Sequence, residues 1–340
     1  MRNDTRLHYN AYTAQIAALN GIPDATVKFA VEPTIQQKLE DKIQESSDFL
    51  TRINVIGVHE LKGERLGLSV GSPIASTTDT NAKDRATKDP SALDAQQYEC
   101  TQTNSDTHIT YAKLDAWAKF PDFQTRVRDA ILRQQARDRI IIGFNGKSRA
   151  ATSNPTTNPL LQDVNKGWLQ HYREKAPQRV LNKGATVGVI KVGNAAGCDY
   201  RNLDALVFDA VNHLIEPWFQ EDTELVAMCG RNLLADKYFP LVNNNDAPSE
   251  KLAADLIISQ KRLGNLPAVR VPFLPAGTIL VTRYDNLSIY YQEGSRRRAI
   301  TDNPKRDRIE NWESSNDAYV VEDFGAGCLI ENVQVAGAAL

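Results

Sequence analysis

The sequence predicts an α+β fold with a projecting arm, and three observations support this. Residues 121–142 and 203–214 have the 3.6-residue apolar period of helices. From residue 268 onwards the chain consists of short runs rich in Val, Ile and Tyr, which are typical of strands. Residues 72–92 are polar apart from Ile74, and strand-like runs stand on both sides of them. A polar stretch this long is uncommon inside a compact domain, so we expect a β-hairpin that extends away from the body.

The first 54 residues are predicted to form an arm rather than a domain. Residues 9–19 and 34–48 have the spacing of amphipathic helices. Residues 21–33, between them, hold two prolines and have the mixed polarity of a linker. The second helix has a narrow apolar stripe, formed by Ile35, Leu39 and Ile43. This stripe fits either a surface helix or a segment that docks on a neighbouring subunit.

The projecting hairpin is predicted to span residues 55–112. Strand-like runs at 55–61 and 65–70 precede the polar stretch, and another at 107–112 follows it. Such an arm buries little surface within its own chain, which indicates that another copy of the protein lies beneath it. Four glycines are either hinges or bulges in twisted strands, namely Gly57, Gly63, Gly67 and Gly71.

Residues 121–142 predict the longest helix. Pro121 suits its first position, and Asp122 suits the positive end of its dipole. Few of its side chains are large and apolar, so we expect only a narrow side to be covered where the helix lies across a sheet. Three arginines occupy its other faces, at Arg126, Arg133 and Arg137. They fit a solvated face or, alternatively, ion pairs to a neighbouring subunit.

The sequence GFNGKS at 143–148 imitates a phosphate-binding loop. That motif needs a glycine at position 141, where this chain has Ile141, and it needs a preceding strand. Because a predicted helix precedes GFNG here, we interpret its glycine as a helix C-cap.

The second half of the chain mixes helices and strands. Further helices are predicted at 160–176, 203–214, 231–238 and, with mixed character, 252–258. Strands are predicted at 184–192, 225–229, 268–273, 278–282, 287–291, 318–321 and 328–335. Basic residues at 296–298 and at 305, 306 and 308 predict a solvated loop, with contact to DNA phosphates as the alternative.

Composition and charge exclude several classes of protein. The chain has 340 residues and a net charge of -2, so no global basic field indicates nucleic-acid binding. It lacks an apolar signal core at its start and any apolar run of ~18 residues, so we expect neither secretion by that route nor a membrane span. The cysteines form no CxxC pair and predict free, mostly buried thiols; they are Cys100, Cys198, Cys229 and Cys328.

The sequence contains no pattern that predicts catalysis. The motifs GxGxxG, GxSxG and HExxH and the EF-hand loop do not occur. No two of the five histidines stand at metal-ligand spacing. We therefore expect no catalytic, cofactor-binding or metal-binding residues, and we predict that the chain is not an enzyme.

Long segments in collinear order span nearly the whole chain and match one family. They are QESSDFLTRIN at 44–54, SPIASTTDT at 72–80, NPLLQDVNKGWLQ at 158–170, LDALVFDAVNHLIEPWFQED at 203–222, GRNLLADKYFPLVN at 230–243, LAADLIISQKRLGNLPAVRVP at 252–272, NLSIYYQ at 286–292 and YVVEDFGAGCLIE at 319–331. Through these segments the chain resembles the major capsid proteins of Peduovirus-type (P2-like) tailed bacteriophages.

The resemblance implies the HK97-like coat-protein fold. It assigns 1–54 to an N-terminal arm, 55–112 to the extended β-hairpin called the E-loop, 113–190 to a peripheral domain with a long spine helix, 191–299 to an axial domain, and 300–340 to C-terminal strands that return to the peripheral domain.

The resemblance also implies a function in shell assembly. Copies of the chain form the pentamers and hexamers of an icosahedral head around an internal scaffolding protein that is also a protease. Further implied partners are a portal protein and double-stranded DNA, which is packaged without sequence recognition, while no cofactor and no membrane are implied. The protein is then located in the virion, after assembly in the host cytoplasm.

The same family implies that the protease trims the N-terminal arm. The matching position here is the Phe29–Ala30 bond, and the linker character of residues 21–33 favours protease access. Some relatives with this fold cross-link Lys to Asn between subunits. Lys83 or Lys88 would be the candidate for such a cross-link in this chain, although solvated lysines are the simpler interpretation.

Two alternatives remain open from the sequence alone. An encapsulin-like cargo compartment would share the fold, but it would need a cargo-docking site and would lack the processed arm. An α/β enzyme with an undetected site would form a small oligomer with a deep polar pocket.

Overall fold

The computed structural model of the chain describes residues 1–69, 75–82, 84–87, 92–117, 123–235, 237 and 261–335. The named helices are α1 (Asn3–Leu19), α2 (Pro33–Glu45), α3 (Tyr111–Trp117), α4 (Phe123–Asn145), α5 (Trp168–Lys175) and α6 (Leu203–Leu214), with 3-10 turns at Pro177–Arg179 and Pro304–Arg306. Residues 231–235, within the predicted helix at 231–238, are also helical. The first group of strands is β1 (Phe29–Ala30), β2 (Asn54–Val58), β3 (Lys62–Ser69), β4 (Ala92–Glu99), β5 (Thr101–Asn104), β6 (Thr107–Thr110), β7 (Val180–Leu181) and β8 (Ile190–Val192). The second group is β9 (Val226–Cys229), β10 (Arg262–Leu263), β11 (Leu266–Arg270), β12 (Ile279–Thr282), β13 (Leu287–Gln292), β14 (Arg297–Asn303), β15 (Arg308–Val321), β16 (Cys328–Ile330) and β17 (Val333–Val335).

The larger sheet is organised around β15. Its strands follow the order β1-β14-β15-β13-β2, and β5 and β6 also pair with β15. The long β15 strand therefore has β14 and β13 along one edge and β6 and β5 along the other. Segments from both ends of the chain thus meet in a single sheet.

Strands β13 and β14 pair in turn with the same edge of β15, and the residues between them form a bulge. Tyr291 pairs with Asp317, and the next paired residue is Arg297, opposite Ser314. One side therefore advances six residues while β15 advances three, which leaves three extra residues in a bulge. The bulge contains Gly294, whose positive φ of 69° suits glycine.

Helix α2 covers this bulge. The side-chain amide of Gln36 donates to the Gln292 carbonyl over 3.0 Å, and its oxygen accepts from the Gly294 amide over 2.9 Å. Backbone groups that the bulge removes from the strand ladder are thereby satisfied, which keeps their burial from becoming costly.

A second sheet of six strands forms the other centre of the fold. Its order is β10-β11-β9-β12-β16-β7, and α6 packs on one face. The apolar stripe of α6, which includes Leu206, Val207 and Ala210, is fully buried there. The bounds of α6 agree with the predicted helix at 203–214.

The largest core lies between α4, α5 and the larger sheet, with Trp168 at its centre. The Trp168 indole donates to the Ser288 carbonyl over 3.0 Å, and its ring lies edge-on to those of Phe144 and Tyr319. Helix α4 continues to Asn145, so the glycine of GFNG that follows the helix is Gly146, whose amide donates to the Ile142 carbonyl over 2.8 Å, and Gly143 lies within the helix. A Cβ at position 143 would lie 2.2 Å from the Trp168 ring, so glycine is needed there for close packing.

Strand pairing confirms a hairpin, but its second strand is β4 and not the predicted run at 107–112, which forms β6 of the larger sheet. The predicted run at 55–61 is also outside the hairpin, because β2 pairs with β13 in that sheet. β3 and β4 form a separate antiparallel pair that runs from Lys62 opposite Glu99 to Ser69 opposite Ala92. Gly57 lies in β2, and Gly63 and Gly67 lie in β3; their role as hinges stays a prediction. The hairpin-tip positions Gly71, Lys83 and Lys88 lie outside the described residues, as do Pro121, Asp122 and the predicted helix at 252–258.

Several other boundaries differ from the sequence predictions. Helix α1 begins at Asn3, well before position 9, and α5 begins at Trp168, well after position 160. The strand expected at 184–192 is limited to β8, and β15 extends ten residues before the strand predicted at 318–321. Periodicity sets the type of these elements, whereas packing and caps set their ends.

Strand pairing groups the chain differently from the predicted domain ranges. β13 lies in the larger sheet, although residues 287–292 fall within the range 191–299. β16 lies in the six-stranded sheet, although residues 328–330 fall within the range 300–340. The domain bounds themselves stay a prediction.

Candidate functional site

The Phe29–Ala30 bond lies in a short strand at the edge of the larger sheet. Phe29 pairs with Arg298 and Ala30 with Arg297 of β14. Phe29 is half-buried and Ala30 is exposed. The bond predicted to be cut is therefore part of the sheet, and its role as a cut site stays a prediction.

Backbone hydrogen bonds on both sides fix this strand. The Val31 amide donates to the Arg296 carbonyl over 2.8 Å, and the Ile300 amide donates to the Ala25 carbonyl over 3.0 Å. The expectation that residues 21–33 form a plain linker is thus wrong in this part. The prolines and polar residues of 21–33 gave no indication of a strand, because its pairing partner, β14, is distant in sequence.

Upstream of the bond, α1 rests on a small apolar cluster. This arm cluster consists of Ile16, Ala17, Ala25 and Ile300, with Tyr9, Tyr12, Ile22, Phe29 and Ile309 half-buried around it. Only three of the 17 residues of α1 are buried. A cavity of about 260 Å³ lies beneath the helix, between it, α4 and the sheet.

Downstream of the bond, the chain enters α2 through a well-formed cap. The Glu32 side chain accepts the Ile35 amide over 3.1 Å, and Pro33 occupies the first turn. Both features favour the start of a helix, because the first amides lack partners within it. The inner face of α2 buries Gln36, Glu40 and Ile43.

Glu40 binds two arginines in the interior. Arg296 Nη1 donates to Glu40 Oε1 over 2.7 Å, and Arg139 Nη2 donates to the same oxygen over 3.2 Å. The exposed fractions are 1% for Glu40, 6% for Arg139 and 2% for Arg296. Three distant segments, namely α2, α4 and the bulge before β14, are thereby joined at one carboxylate.

Strand β15 supplies the remaining acids of this charge network, which we define as Glu40, Arg139, Arg296, Glu313, Asp317 and Gln135. Arg296 Nε donates to Glu313 Oε1 over 2.8 Å, and Arg139 Nη2 donates to Asp317 Oδ1 over 3.3 Å. Gln135 donates to Glu313 over 3.2 Å and accepts from Arg296 over 3.0 Å. The network therefore satisfies both guanidinium groups with partners from two helices and a strand.

The pKa values within the network follow from burial and charge. Burial alone would raise the pKa of Glu40, but the charges of Arg139 and Arg296 outweigh it and lower that pKa. At Glu313 burial again raises the pKa, but the charges of Arg296 and Arg298 and the hydrogen bonds from Arg296 and Gln135 together outweigh it and lower the pKa. Burial prevails at Asp317, where it raises the pKa against the opposing charge of Arg139, and Glu40 raises it further.

The charge network overturns the prediction of a solvated basic loop at Arg296, whereas Lys305 and Arg306 are exposed in the turn between β14 and β15. Residues 297–303 form β14, residues 308–321 form β15, and the two strands pair along their length. Arg296 is among the largest fully buried side chains of the protein. One signal for the site was present in the sequence, because Glu40 follows Gln36 by four residues and precedes Ile43 by three, on the buried face of α2.

The base of the hairpin is anchored by aromatic residues. The Tyr98 and Tyr290 rings meet edge-on with centroids 5.1 Å apart, over a cluster that contains buried Cys100. An exposed ion pair, Lys62 Nζ to Glu99 Oε1 over 2.9 Å, joins the two strands. The hairpin thus leaves the body beside β13 and β15.

The cysteines are free thiols, as predicted. Cys100, Cys229 and Cys328 are buried, and burial raises the pKa of each to about 12, so they carry a proton at neutral pH. Within the described part of the chain, no three His, Cys, Asp or Glu side chains gather as a metal site. Among the same residues, no helix combines the length and apolarity needed to cross a membrane.

The model of one protein family covers nearly the whole chain. A family described as phage major capsid protein, P2 family, matches residues 8–333. The chain belongs to the P2 family of phage major capsid proteins. It is 56% identical to the capsid proteins of Escherichia phage P2, over 98% of this chain and 96% of the relative. It is 39% identical to the major capsid protein of Serratia phage KSP20, over 99% of this chain and 98% of that protein.

Solved structures agree with the family. A chain of the satellite phage P4 procapsid, a particle that includes the size determination (Sid) protein, matches with a TM-score of 0.82 and 52% identity, over 99% of both chains. The capsid of an empty GTA particle matches with a TM-score of 0.51 at 16% identity, over 85% of this chain and 90% of that chain, and bears on the fold alone. The fold of this capsid protein is the HK97-like α+β fold.

Family membership decides between the alternatives. The protein is a structural component of a phage virion, and many copies of it build the capsid shell. The family is structural rather than catalytic, which excludes the enzyme alternative and favours the phage shell over a cargo compartment.

Proposed function

We propose that this capsid protein assembles around an internal scaffolding protein that is also a protease, and that the protease then cuts the Phe29–Ala30 bond. The resulting head, built from pentamers and hexamers, encloses double-stranded DNA and binds a portal protein. The observation that carries the trimming step is the position of the bond, which separates the arm cluster from α2 and the charge network. Removal of residues 1–29 would therefore leave the buried network of the body intact.

Assembly guided by a second protein is supported by a relative. The procapsid of satellite phage P4, whose chain is 52% identical, includes a size determination protein. We propose that a protein of comparable function organises copies of this chain before trimming.

The hairpin provides the contact between copies in this proposal. β3 and β4 form a sheet of their own, so a neighbouring copy can receive the hairpin without a change in the core. Contacts around a ring of copies are heterologous and close only when the rotation fits. Many weak contacts per copy stabilise the shell together, while single errors still dissociate. In the same proposal, residues 113–190 form the peripheral domain and residues 191–299 gather at the centre of each ring.

The small net charge of -2 fits a shell that encloses DNA without sequence recognition. A strongly basic lining would bind the phosphate backbone tightly and would make packaging strongly dependent on salt.

The test is expression of the chain alone, with its scaffold–protease partner, and with the partner inactivated at its protease site. Negative-stain microscopy and intact mass are measured for each sample. We expect closed shells with either partner, and a mass that lacks residues 1–29 only with the active one. Shells that form with the full partner but retain an intact N-terminus would contradict trimming alone, whereas small oligomers in every sample would contradict guided assembly.

A further inference from the structure

We propose that residues 1–30 detach from the body as one unit, and that this local opening controls how fast the Phe29–Ala30 bond is cut. The proposal deepens the trimming proposed above and rests on it for its biological meaning. The opening itself is a property of the chain that is testable without the viral protease.

The bond is protected while β1 is paired. Protease cleavage occurs at exposed and poorly hydrogen-bonded backbone. Here Phe29 and Ala30 are paired with β14, and the Phe29 side chain packs on the arm cluster. A protease that binds the segment as an extended chain must first break this pairing.

The segment before the bond is weakly held. In α1 the buried residues are Thr5, Ile16 and Ala17, and the helix lies over a cavity of about 260 Å³. Its ion pair between Arg6 and Asp302 is partly solvated, with exposed fractions of 45% and 21% for the two side chains. Partly solvated ion pairs contribute little to stability.

The segment after the bond is strongly held. Val31 is 3% exposed, and the inner face of α2 buries Gln36, Glu40 and Ile43. Glu40 is bound by two buried arginines, so withdrawal of α2 would leave both guanidinium groups short of a partner. The boundary between weak and strong attachment therefore falls between Ala30 and Val31.

Local unfolding follows such boundaries. Segments with few buried contacts open at a lower free energy than the whole molecule and do so in contiguous units. When opening is fast relative to cleavage, the rate of proteolysis reports the population of the open form. Contacts of α1 that lie far from the bond should consequently set the rate at which the bond is cut.

The test uses chymotrypsin on the purified full-length chain, because chymotrypsin itself recognises Phe29. Three variants are compared with the original protein: Ile16→Ala, Leu7→Ala and Ile43→Ala. Ile16 is 7% exposed and Leu7 is 68% exposed, so the first two are matched truncations of a large aliphatic residue on the same helix. Ile43 is 1% exposed on α2 and reports on unfolding of the body. Mass spectrometry follows the initial appearance of the fragment that begins at Ala30, and urea unfolding gives the global midpoint.

We expect Ile16→Ala to raise the initial rate of this cut roughly tenfold with an unchanged urea midpoint, since the truncation weakens only the arm. Leu7→Ala should leave both readouts unchanged, and Ile43→Ala should lower the midpoint without faster cutting. A cut accelerated by Ile43→Ala but not by Ile16→Ala would show that cutting follows global unfolding and would overturn the proposal. Equal rates in all four proteins would also overturn it, because the bond would then be open already.

Hydrogen exchange on the original protein tests whether the whole arm opens in one cooperative step. The hydrogen-bonded amides of α1, and the Ile300 amide of β14 that donates to Ala25 of the arm, should exchange at one common opening rate, faster than those of α2. Exchange of α1 without exchange at Ile300 would contradict detachment as a unit. If the viral protease cuts at another bond, the trimming position proposed above fails, while these measurements keep their meaning.

Discussion

Arg296 donates a 2.7 Å hydrogen bond to Glu40, and the two side chains are only 2% and 1% exposed. Arg296 lies in the bulge between two strands, and Glu40 lies on the helix that covers this bulge. A buried salt bridge stabilises the folded state only while every charge in it keeps its partner. Each buried charge that loses its partner raises the free energy of the folded state. The pair thus fastens α2 to the body directly after the bond that we propose is cut.

Removal of the Glu40 carboxylate is expected to destabilise the protein strongly. In Glu40→Gln, Arg139 and Arg296 both lose a charged acceptor in the interior, and the free energy of unfolding should fall by about 3–5 kcal/mol. Glu45→Gln is the matched control, because Glu45 is exposed on the same helix. Urea unfolding of both variants is the measurement, and equal midpoints would show that the network contributes nothing.

The network also predicts loss of stability in acid. The pKa values of Glu40 and Glu313 are lowered from 4.5, so their contribution is complete above this value and is lost as the pH falls through the folded pKa values. Asp317 acts in the opposite direction, because its pKa is raised from 3.8 and its proton favours the folded state at low pH.

The contribution of Glu40 and Glu313 to the free energy of unfolding should therefore decline below about pH 4.5. Glu313→Gln should flatten this decline, because one of the two lowered carboxyls is removed. The measurement is urea unfolding at a series of pH values, and an identical slope in the variant would argue against the assignment of Glu313.

Gly143 is expected to tolerate no side chain. A Cβ at this position would lie 2.2 Å from the ring of Trp168, which is fully buried. Gly143→Ala should therefore cost about 3 kcal/mol through overpacking. At Gly230 the nearest atom to an added Cβ is the Leu274 carbonyl oxygen at 3.7 Å, so Gly230→Ala serves as the control. Thermal unfolding compares the two, and similar melting temperatures would contradict the packing argument.

Deletion of residues 1–29 is expected to uncover an apolar surface without unfolding the body. Ile300 of the arm cluster is 2% exposed beneath α1 and would become accessible, together with Ile309. A chain that begins at Ala30 should therefore bind a dye such as anilinonaphthalene sulfonate more strongly than the full chain does. Its urea midpoint should stay close to that of the full chain, because α2 and the charge network remain. A large drop in the midpoint would show that the arm is part of the core.

Local patterns predicted a substantial part of the fold. The apolar stripe of α6 gave its bounds at 203–214, and the strand-like run at 65–70 beside a polar stretch indicated a hairpin, although its second strand, β4, was not predicted. Both features depend on interactions between residues that are near in sequence or joined by one turn. The ends of α1 and α5 were less well predicted, since their limits depend on what they pack against.

Only part of the candidate site could be predicted from the sequence. The family resemblance indicated the Phe29–Ala30 bond, but residues 21–33 were interpreted as a linker because β14, their partner, lies more than 260 residues away. Likewise, Arg296 stands in a run of three arginines, and such a run is more often a solvated loop than a buried site.

The sequence by itself determined the α+β class, the hairpin, the free thiols and the family. Each of these depends on local periodicity, on composition or on long collinear segments. Only the tertiary structure decided that Glu40 and Arg296, 256 residues apart, share one buried site, and that β1 completes the edge of the larger sheet. Whether a charged side chain is buried depends on counter-charges from distant segments, and local sequence patterns do not show which distant segments meet.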